Sequence, residues 1–188
     1  MMEIRQLCKS FEGRAVLENV DLTVPGGAVL CLMAPSGRGK TTLLRCIAGL
    51  ETPDGGTVTG VPERIGFVFQ EDRLCLELDA VENVRLVTGR RMTVADIEAQ
   101  LTELGLDTCL HQRTEELSGG QRRRVSIARA VCCGGGLLLL DEPFKGLDSD
   151  ARDRAAQYIL RRRGGAAVVC VTHDREDAAA LGAEIIAL

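Results

Sequence analysis

Short apolar runs alternate along the chain with longer segments in which apolar residues recur at helical spacing. Runs of this kind, bounded by turn residues, are typical of strands buried on both faces of a sheet. Such strands are predicted at residues 29–33, 65–69, 137–140 and 166–171, with a last strand at 185–188. Helices are predicted at residues 119–131, 150–163 and 176–181. Apolar strands that alternate with helices predict an α/β fold with a mostly parallel sheet covered on both faces.

The beginning of the chain has a different pattern. Residues 4–7 and 16–24 alternate apolar and polar positions around the turn residues 12–13, with a further short strand at 57–60, and this predicts an N-terminal antiparallel β part.

The segment 71–116 also differs from the rest. It has helical spacing at Val94, Ile97, Leu101 and Leu104 and a capping box at Thr93 and Asp96. We therefore predict one domain, 1–188, in which a helical subdomain at 71–116 is inserted between the core segments 1–70 and 117–188.

A glycine-rich turn follows the first apolar run and opens a helix-compatible segment. It comprises Ala34, Pro35, Ser36, Gly37, Arg38, Gly39, Lys40, Thr41 and Thr42. Gly37 and Gly39 allow backbone N–H groups to curl around an anion at the start of a helix. In the pattern G-x-x-x-x-G-K-[ST], Lys40 reaches the β- and γ-phosphates and Thr41 binds Mg²⁺. Ala34 replaces the first glycine, which is tolerable if its φ stays below zero.

Two acids, Asp141 and Glu142, end the predicted strand 137–140. The carboxyl ends of parallel strands open on the ligand crevice, so Asp141 is predicted to bind the Mg²⁺ that Thr41 also binds. Glu142 is predicted to orient and deprotonate an attacking water. Acids at a strand end also serve as caps or salt-bridge partners, and from these residues alone both interpretations stay open.

Two further features suit a nucleotide. The sequence LSGGQ at 117–121 precedes a predicted helix, so Ser118 is either its N-cap or part of a second anion site that suits a partner's nucleotide. Phe11, predicted in a loop, is either a packing residue or a platform for stacking a base, in a chain with one Tyr, four Phe and no Trp.

Composition narrows the function classes. With 45% hydrophobic residues and 27% charged residues, the composition is that of a globular protein. The net charge of -4 and the lack of a single basic block argue against general nucleic-acid binding, which requires a basic face. The short basic runs 122–124 and 161–163 do not change this, and the second suits a helix C-terminus.

No apolar run approaches the roughly 20 residues that span a bilayer, and the N-terminus lacks a signal-peptide core. The eight cysteines form no C-x-x-C pair, which favours buried thiols in a reducing, cytoplasmic compartment.

Taken in order, these motifs resemble the ATPase subunits of ATP-binding cassette (ABC) transporters. The motifs are the phosphate loop at 34–41, Gln70 as the Q-loop glutamine, the signature at 117–121, the acids at 141–142, Leu147 and Asp148 as the D-loop, and His173 in VTHD. The resemblance covers nearly the whole chain. It implies a RecA-like P-loop core, ATP and Mg²⁺ as cofactors, and ATP hydrolysis.

The resemblance also implies roles for individual residues. Phe11 would stack on adenine, Gln70 would join Mg²⁺ and the attacking water to a conformational sensor, and His173 would contact the γ-phosphate. Two copies would bind head to tail, with each ATP between one phosphate loop and the signature of the other copy. That signature consists of Ser118, Gly119, Gly120 and Gln121.

The sequences at 70–74 and 80–84 are similar to the nitrate, sulfonate and taurine importer branch. This implies a subunit on the inner face of the cell membrane, working with a transmembrane permease and a solute-binding protein. Cys75 and Leu76 replace the usual Pro-Trp pair where a permease helix would dock. Since the sequence stops at 183–188 without a further strand and tail, regulation through a C-terminal domain is not expected.

Three alternatives are open. A soluble ABC ATPase that acts on nucleic acid or ribosomes usually joins two cassettes or carries long insertions. A nucleotide-binding regulatory subunit with weak catalysis is supported only by Ala34. An exporter ATPase is disfavoured by the sequence at 70–74.

Overall fold

The computed structural model describes residues 1–35 and 37–187. The strands are β1 (Met2–Phe11), β2 (Arg14–Val24), β3 (Val29–Met33), β4 (Gly55–Thr59), β5 (Ile65–Val68), β6 (Leu137–Asp141), β7 (Ala167–Val171) and β8 (Glu184–Ala187). The helices are α1 (Lys40–Ile47), α2 (Ala80–Thr88), α3 (Val94–Glu103), α4 (Gly119–Cys132), α5 (Ser149–Arg162) and α6 (Arg175–Ala180). Ser36 of the phosphate loop and Leu188 of the predicted last strand lie outside the described residues.

The central sheet is parallel, as predicted, with the strand order β5-β6-β7-β3-β8. Every residue of β6 and β7 is buried because both faces of the sheet are covered. Leu138 and Leu140 pack into a core shared with α2 to α5, whereas Leu137 and Leu139 pack toward α1 and the antiparallel strands. The neighbouring carboxyl ends of β6, β7 and β3 bring their following loops to one edge, where the candidate site lies.

The antiparallel β part is a three-stranded sheet with the order β2-β1-β4. Glu12 and Gly13 form a two-residue turn with φ values of 48° and 76°, the left-handed backbone that a tight hairpin needs. Phe11 was predicted in a loop, but it ends β1 and pairs with Arg14, because the turn is only two residues long. The strand predicted at 57–60 begins at Gly55, because β1 supplies a pairing edge that reaches Cys8.

The helices α2 and α3 lie between β5 and α4 in the chain. The predicted capping box of Thr93 and Asp96 begins α3, and Asp79 with Glu82 forms a second one at α2. Their apolar residues belong to the same core as α4. Two salt bridges from Arg161 and Arg162 to Glu103 also join α5 to α3. The division of the chain at 71 and 116 stays a prediction.

The cysteines of the apolar runs are buried, as predicted. Cys31, Cys46 and Cys170 pack as small apolar side chains within the core. Within residues 1–35 and 37–187, none of the helices has the length and apolar character needed to cross a membrane.

Candidate active site

The phosphate loop joins β3 to α1 and leaves the start of that helix open. Gly39 precedes α1 with φ 77° and provides no side-chain cap, so the N–H groups of the first turn have no acceptor from a capping side chain. A Cβ on Gly39 would lie 2.7 Å from both the Val16 carbonyl oxygen and a Leu17 methyl group. Glycine is therefore needed here for its backbone conformation and for the close approach of β2. An uncapped helix start of this kind fits an anion.

Lys40 places a cation at the same helix start. Its Nζ donates to the carbonyl oxygens of Ala34 at 2.5 Å and Pro35 at 3.1 Å, and the side chain is buried against the loop. Both of these acceptors are neutral, so the hydrogen bonds leave the charge of the ammonium uncompensated. A buried ammonium held in this way fits the phosphates of a nucleotide.

Ala34 does not adopt the positive φ that would make an alanine unfavourable at this position. Among the described residues other than glycine, positive φ occurs at Gln6, Glu12, Asn19, Arg73 and Glu142. Ala34 is outside this group, so its Cβ is accommodated without left-handed strain. The replacement of the first glycine is therefore compatible with the loop.

The phosphate loop faces the acids across a cavity of about 270 Å³. Its lining residues are Val16, Gly37, Gly39, Lys40, Thr41, Thr42, Gln70, Asp141 and Glu142. Burial raises the pKa of Asp141, and a hydrogen bond from Thr41 opposes that shift. The hydroxyl of Thr41, the carboxylate of Asp141 and the amide oxygen of Gln70 are the hard oxygen ligands that Mg²⁺ prefers. This donor set fits Mg²⁺ carried by phosphates.

Glu142 is held by both its backbone and its side chain. Its φ of 49° is a left-handed conformation that a non-glycine residue adopts only at a cost, which is frequent at functional sites. Its N–H donates to the Val171 carbonyl at 2.9 Å. Its carboxylate lies 2.9 Å from His173 Nδ1 and accepts from the Thr172 hydroxyl at 3.1 Å. The carboxylate at the edge of the cavity is therefore fixed in direction.

The contact between Glu142 and His173 gives a titration that can be measured. The hydrogen bond and negative charge of Glu142 raise the pKa of His173. In Glu142→Gln the charge is lost, so the pKa of His173 is expected to fall toward its ordinary value. The imidazole signals in an NMR titration check this, since the chain has 2 histidines. His111, which contacts Asp79 and Glu98 instead, serves as the internal control. An unchanged His173 titration would contradict the contact.

Sequence reasoning missed a second group of polar residues behind Glu142. Thr172 is fully buried, and its hydroxyl contacts both the Glu142 carboxylate and the Asp177 carboxyl group, the latter at 2.8 Å. Burial raises the pKa of Asp177. Thr172 stands next to His173 in the sequence, and this adjacency was the only available signal. The hydroxyl connects the carboxylate facing the cavity to a carboxyl group below it.

The sequence LSGGQ begins α4, away from this cavity. Ser118 Oγ accepts from the Gln121 N–H at 3.2 Å, and Gln121 Oε1 accepts from the Ser118 N–H at 2.7 Å. This capping box confirms the N-cap interpretation of Ser118. Among the described residues that line the 270 Å³ cavity, none comes from 117–121. A second anion site at this helix start stays a prediction.

Two of the predicted nucleotide contacts occupy exposed positions. Gln70 follows β5 and lines the cavity. Phe11 does not line it; the ring is 43% exposed at the end of β1, and Lys9 Nζ lies 5.1 Å from its centroid. The role of Phe11 as a base platform stays a prediction.

A family model described as "ABC transporter" matches residues 17–145 of the chain. Among curated proteins, the sulfate/thiosulfate import ATP-binding protein CysA of Methylococcus capsulatus is 37% identical, over 100% of this chain and 60% of its own length. The aliphatic sulfonates import ATP-binding protein SsuB 1 of Streptomyces avermitilis is 42% identical, over 97% of this chain and 70% of its own length. The chain thus spans about 60% of the length of the CysA relatives.

Solved structures show the same fold. The dimeric structure of MJ0796, a bacterial ABC transporter cassette, has a TM-score of 0.88 and 30% sequence identity, covering 100% of this chain and 94% of that chain. A dimeric post-hydrolysis state of MJ0796 bound to ADP and Pi has a TM-score of 0.87.

Proposed function

Because the chain belongs to the ABC transporter family, we propose that it is the ATP-binding and ATP-hydrolysing subunit of an ABC importer. In this role it energises a separate transmembrane permease by dimerising head to tail around ATP. The observation that carries the proposal is the 270 Å³ cavity, in which an uncapped helix start, Lys40 and the carboxylates of Asp141 and Glu142 face one another.

Each group in the cavity has a chemical task. The N–H groups of the loop and Lys40 bind the phosphates, and Thr41, Asp141 and Gln70 would hold Mg²⁺, which neutralises charge on the phosphate oxygens. Glu142 accepts a proton from the attacking water, since its carboxylate is fixed and faces the cavity. His173 orients that carboxylate through its Nδ1.

The start of α4 supplies the second half of the proposed dimer site. Its glycine N–H groups lie outside the cavity of their own subunit, so they suit the ATP bound by a partner copy. ATP then bridges two cation-rich and N–H-rich surfaces, and hydrolysis removes the bridge. The structure of MJ0796 is dimeric, which supports a dimer of this chain.

The permease would dock in a second, apolar cavity. This cavity of about 440 Å³ lies between the end of α1, β5 and α2. Phe67 and Phe69 line it beside an exposed Leu86, and the guanidinium group of Arg73 lies 4.5 Å from the centre of the Phe69 ring. Phe69 precedes Gln70, so a helix docked here contacts the loop that reaches the nucleotide. We expect this helix to carry apolar residues and a carboxylate that pairs with Arg73.

The sequence predicted that the permease would dock at Cys75 and Leu76. Neither residue lines this cavity, so the two positions can be tested separately. Leu86 and Leu76 have similar exposure, 58% and 48%, so they form a matched pair for mutation. In Leu86→Glu the buried charge is expected to abolish binding to the permease, whereas Leu76→Glu should bind as wild type does.

The measurement is co-sedimentation with membrane vesicles from the organism that makes the protein, together with phosphate release from Mg-ATP. Wild type is expected to bind the vesicles and release phosphate, and Leu86→Glu to lose only the binding. If Leu76→Glu alone lost vesicle binding, the permease would dock at Leu76 instead of in the cavity. Wild type that releases phosphate but sediments with ribosomes would favour the soluble alternative.

The regulatory alternative, with weak catalysis, is left with little support. Its single argument was Ala34, and that residue avoids the left-handed backbone. The acids, Gln70 and His173 are all placed at or beside the cavity.

A further inference from the structure

Arg123 is a buried arginine that joins the two walls of the nucleotide cavity. It lies on the second turn of α4, and its side chain is only 4% exposed. Nη1 donates to the Phe69 carbonyl at 2.6 Å and to Asp72 Oδ1 at 3.1 Å. Nη2 donates to the carbonyl of Glu142 at 2.5 Å and to that of Asp141 at 3.2 Å. One guanidinium therefore connects the loop that carries Gln70 to the loop that carries the proposed base.

These contacts act on the backbone from which the Glu142 carboxylate projects. The Glu142 carbonyl accepts from Arg123 and from the Lys145 N–H at 3.2 Å, while its own N–H donates to Val171. The left-handed conformation of Glu142 persists only because its surroundings determine it on both sides. A planar guanidinium holds two carbonyls at a set spacing and angle, which the single point charge of an ammonium does not.

We propose that Arg123 is a positioning residue for ATP hydrolysis, setting the Glu142 backbone relative to Gln70 and joining both to α4. Arg123 is not among the residues that line the nucleotide cavity, and it acts through Glu142. The inference rests on the proposed function, because the base it positions is the base of that reaction. Since Gly119 is one turn away on the same helix, a partner's ATP at the start of α4 would engage Gln70 and Glu142 as one unit.

Arg129 is the natural control for this proposal. It lies on the same helix and donates to the same loop, to the Asp72 carbonyl at 2.9 Å and the Arg73 carbonyl at 2.8 Å. Burial lowers the pKa of both guanidinium groups. The hydrogen bonds of Arg129 in the described chain do not reach Asp141 or Glu142. If a variant lost activity only because the loop at 69–73 was loosened, variants of both arginines should show that loss.

The experiment compares Arg123→Lys with Arg129→Lys. Arg123→Lys is expected to lower kcat by about 10–10²-fold, as small displacements of a catalytic group do, with KM for ATP changed by less than about threefold. Arg129→Lys should keep kcat within about threefold of wild type. Thermal unfolding midpoints of both variants show whether they are equally destabilised. Arg123→Gln, which leaves no buried charge, replaces the lysine variant if that variant does not fold.

Hydrogen–deuterium exchange gives a second readout that does not depend on turnover. In Arg123→Lys, residues 69–73 and 141–147 are expected to lose protection together, whereas Arg129→Lys should affect only 69–73. Equal losses of kcat in both variants, or unchanged protection at 141–147 in the Arg123 variant, would overturn the proposal. A wild type that hydrolyses no ATP would instead count against the proposed function, and the exchange data would still decide the role of Arg123.

Discussion

Replacing Glu142 with glutamine is expected to lower ATP hydrolysis by about 10²–10⁴-fold, the usual contribution of a general base. The amide has the shape of the carboxylate and still accepts from the Thr172 hydroxyl, so the left-handed backbone and the cavity should persist. It does not accept a proton from water. Binding of ATP is expected to remain, because the phosphate loop and Lys40 are unchanged.

The same variant should accumulate as a dimer in Mg-ATP, because the nucleotide that bridges the two copies is no longer removed. Sedimentation velocity with and without Mg-ATP measures this, together with phosphate release. Glu176→Gln is the matched control, since Glu176 lies on α6 near the site but pairs with Arg152 instead. Wild-type turnover in Glu142→Gln would exclude Glu142 as the base. A variant that binds ATP and stays monomeric would contradict the dimer mechanism.

Mixing two impaired variants, Lys40→Ala and Gly119→Glu, is expected to restore part of the hydrolysis. Lys40→Ala removes the ammonium from the phosphates, and the loss of a charged hydrogen bond should lower ATP affinity by about 10–10²-fold. Gly119→Glu places a negative charge where the partner's ATP would bind. In a head-to-tail dimer of one copy of each, one site contains both changes and the other site contains neither. Only that second site should turn over.

Glutamate at position 119 is expected to block binding of the partner's ATP without disturbing the fold. An added Cβ at Gly119 has no neighbouring atom within 4 Å, and an acid in the first turn of α4 suits the helix dipole. The variant should therefore fold, and its unfolding midpoint checks that. Phosphate release is measured for each variant and for the mixture at the same total concentration. A mixture no more active than the sum of its parts would contradict the head-to-tail arrangement.

Much of the fold and the cavity was available from the sequence because local interactions determine it. The apolar runs at 137–140 and 166–171 predicted buried strands, since neighbouring residues decide whether a strand has a polar face. Gly39 and Lys40 predicted the open helix start, and the Thr93 capping box predicted where α3 begins. The errors at Phe11 and Gly55 concern strand ends, which depend on the pairing partner.

Other features depended on contacts between distant parts of the chain. Arg123 stood in a basic run with no local signal for burial, yet it donates to a carbonyl 54 residues away and to another 19 residues away. The hydrogen bond of Thr172 to Glu142 spans 30 residues. Spacing along the chain was enough to predict which residues would bind phosphate, because a loop and a helix turn are local. Which buried groups hold the proposed base was decided only by tertiary packing, since a buried polar group gains its hydrogen bonds from residues that are distant in the chain, and losing them is costly.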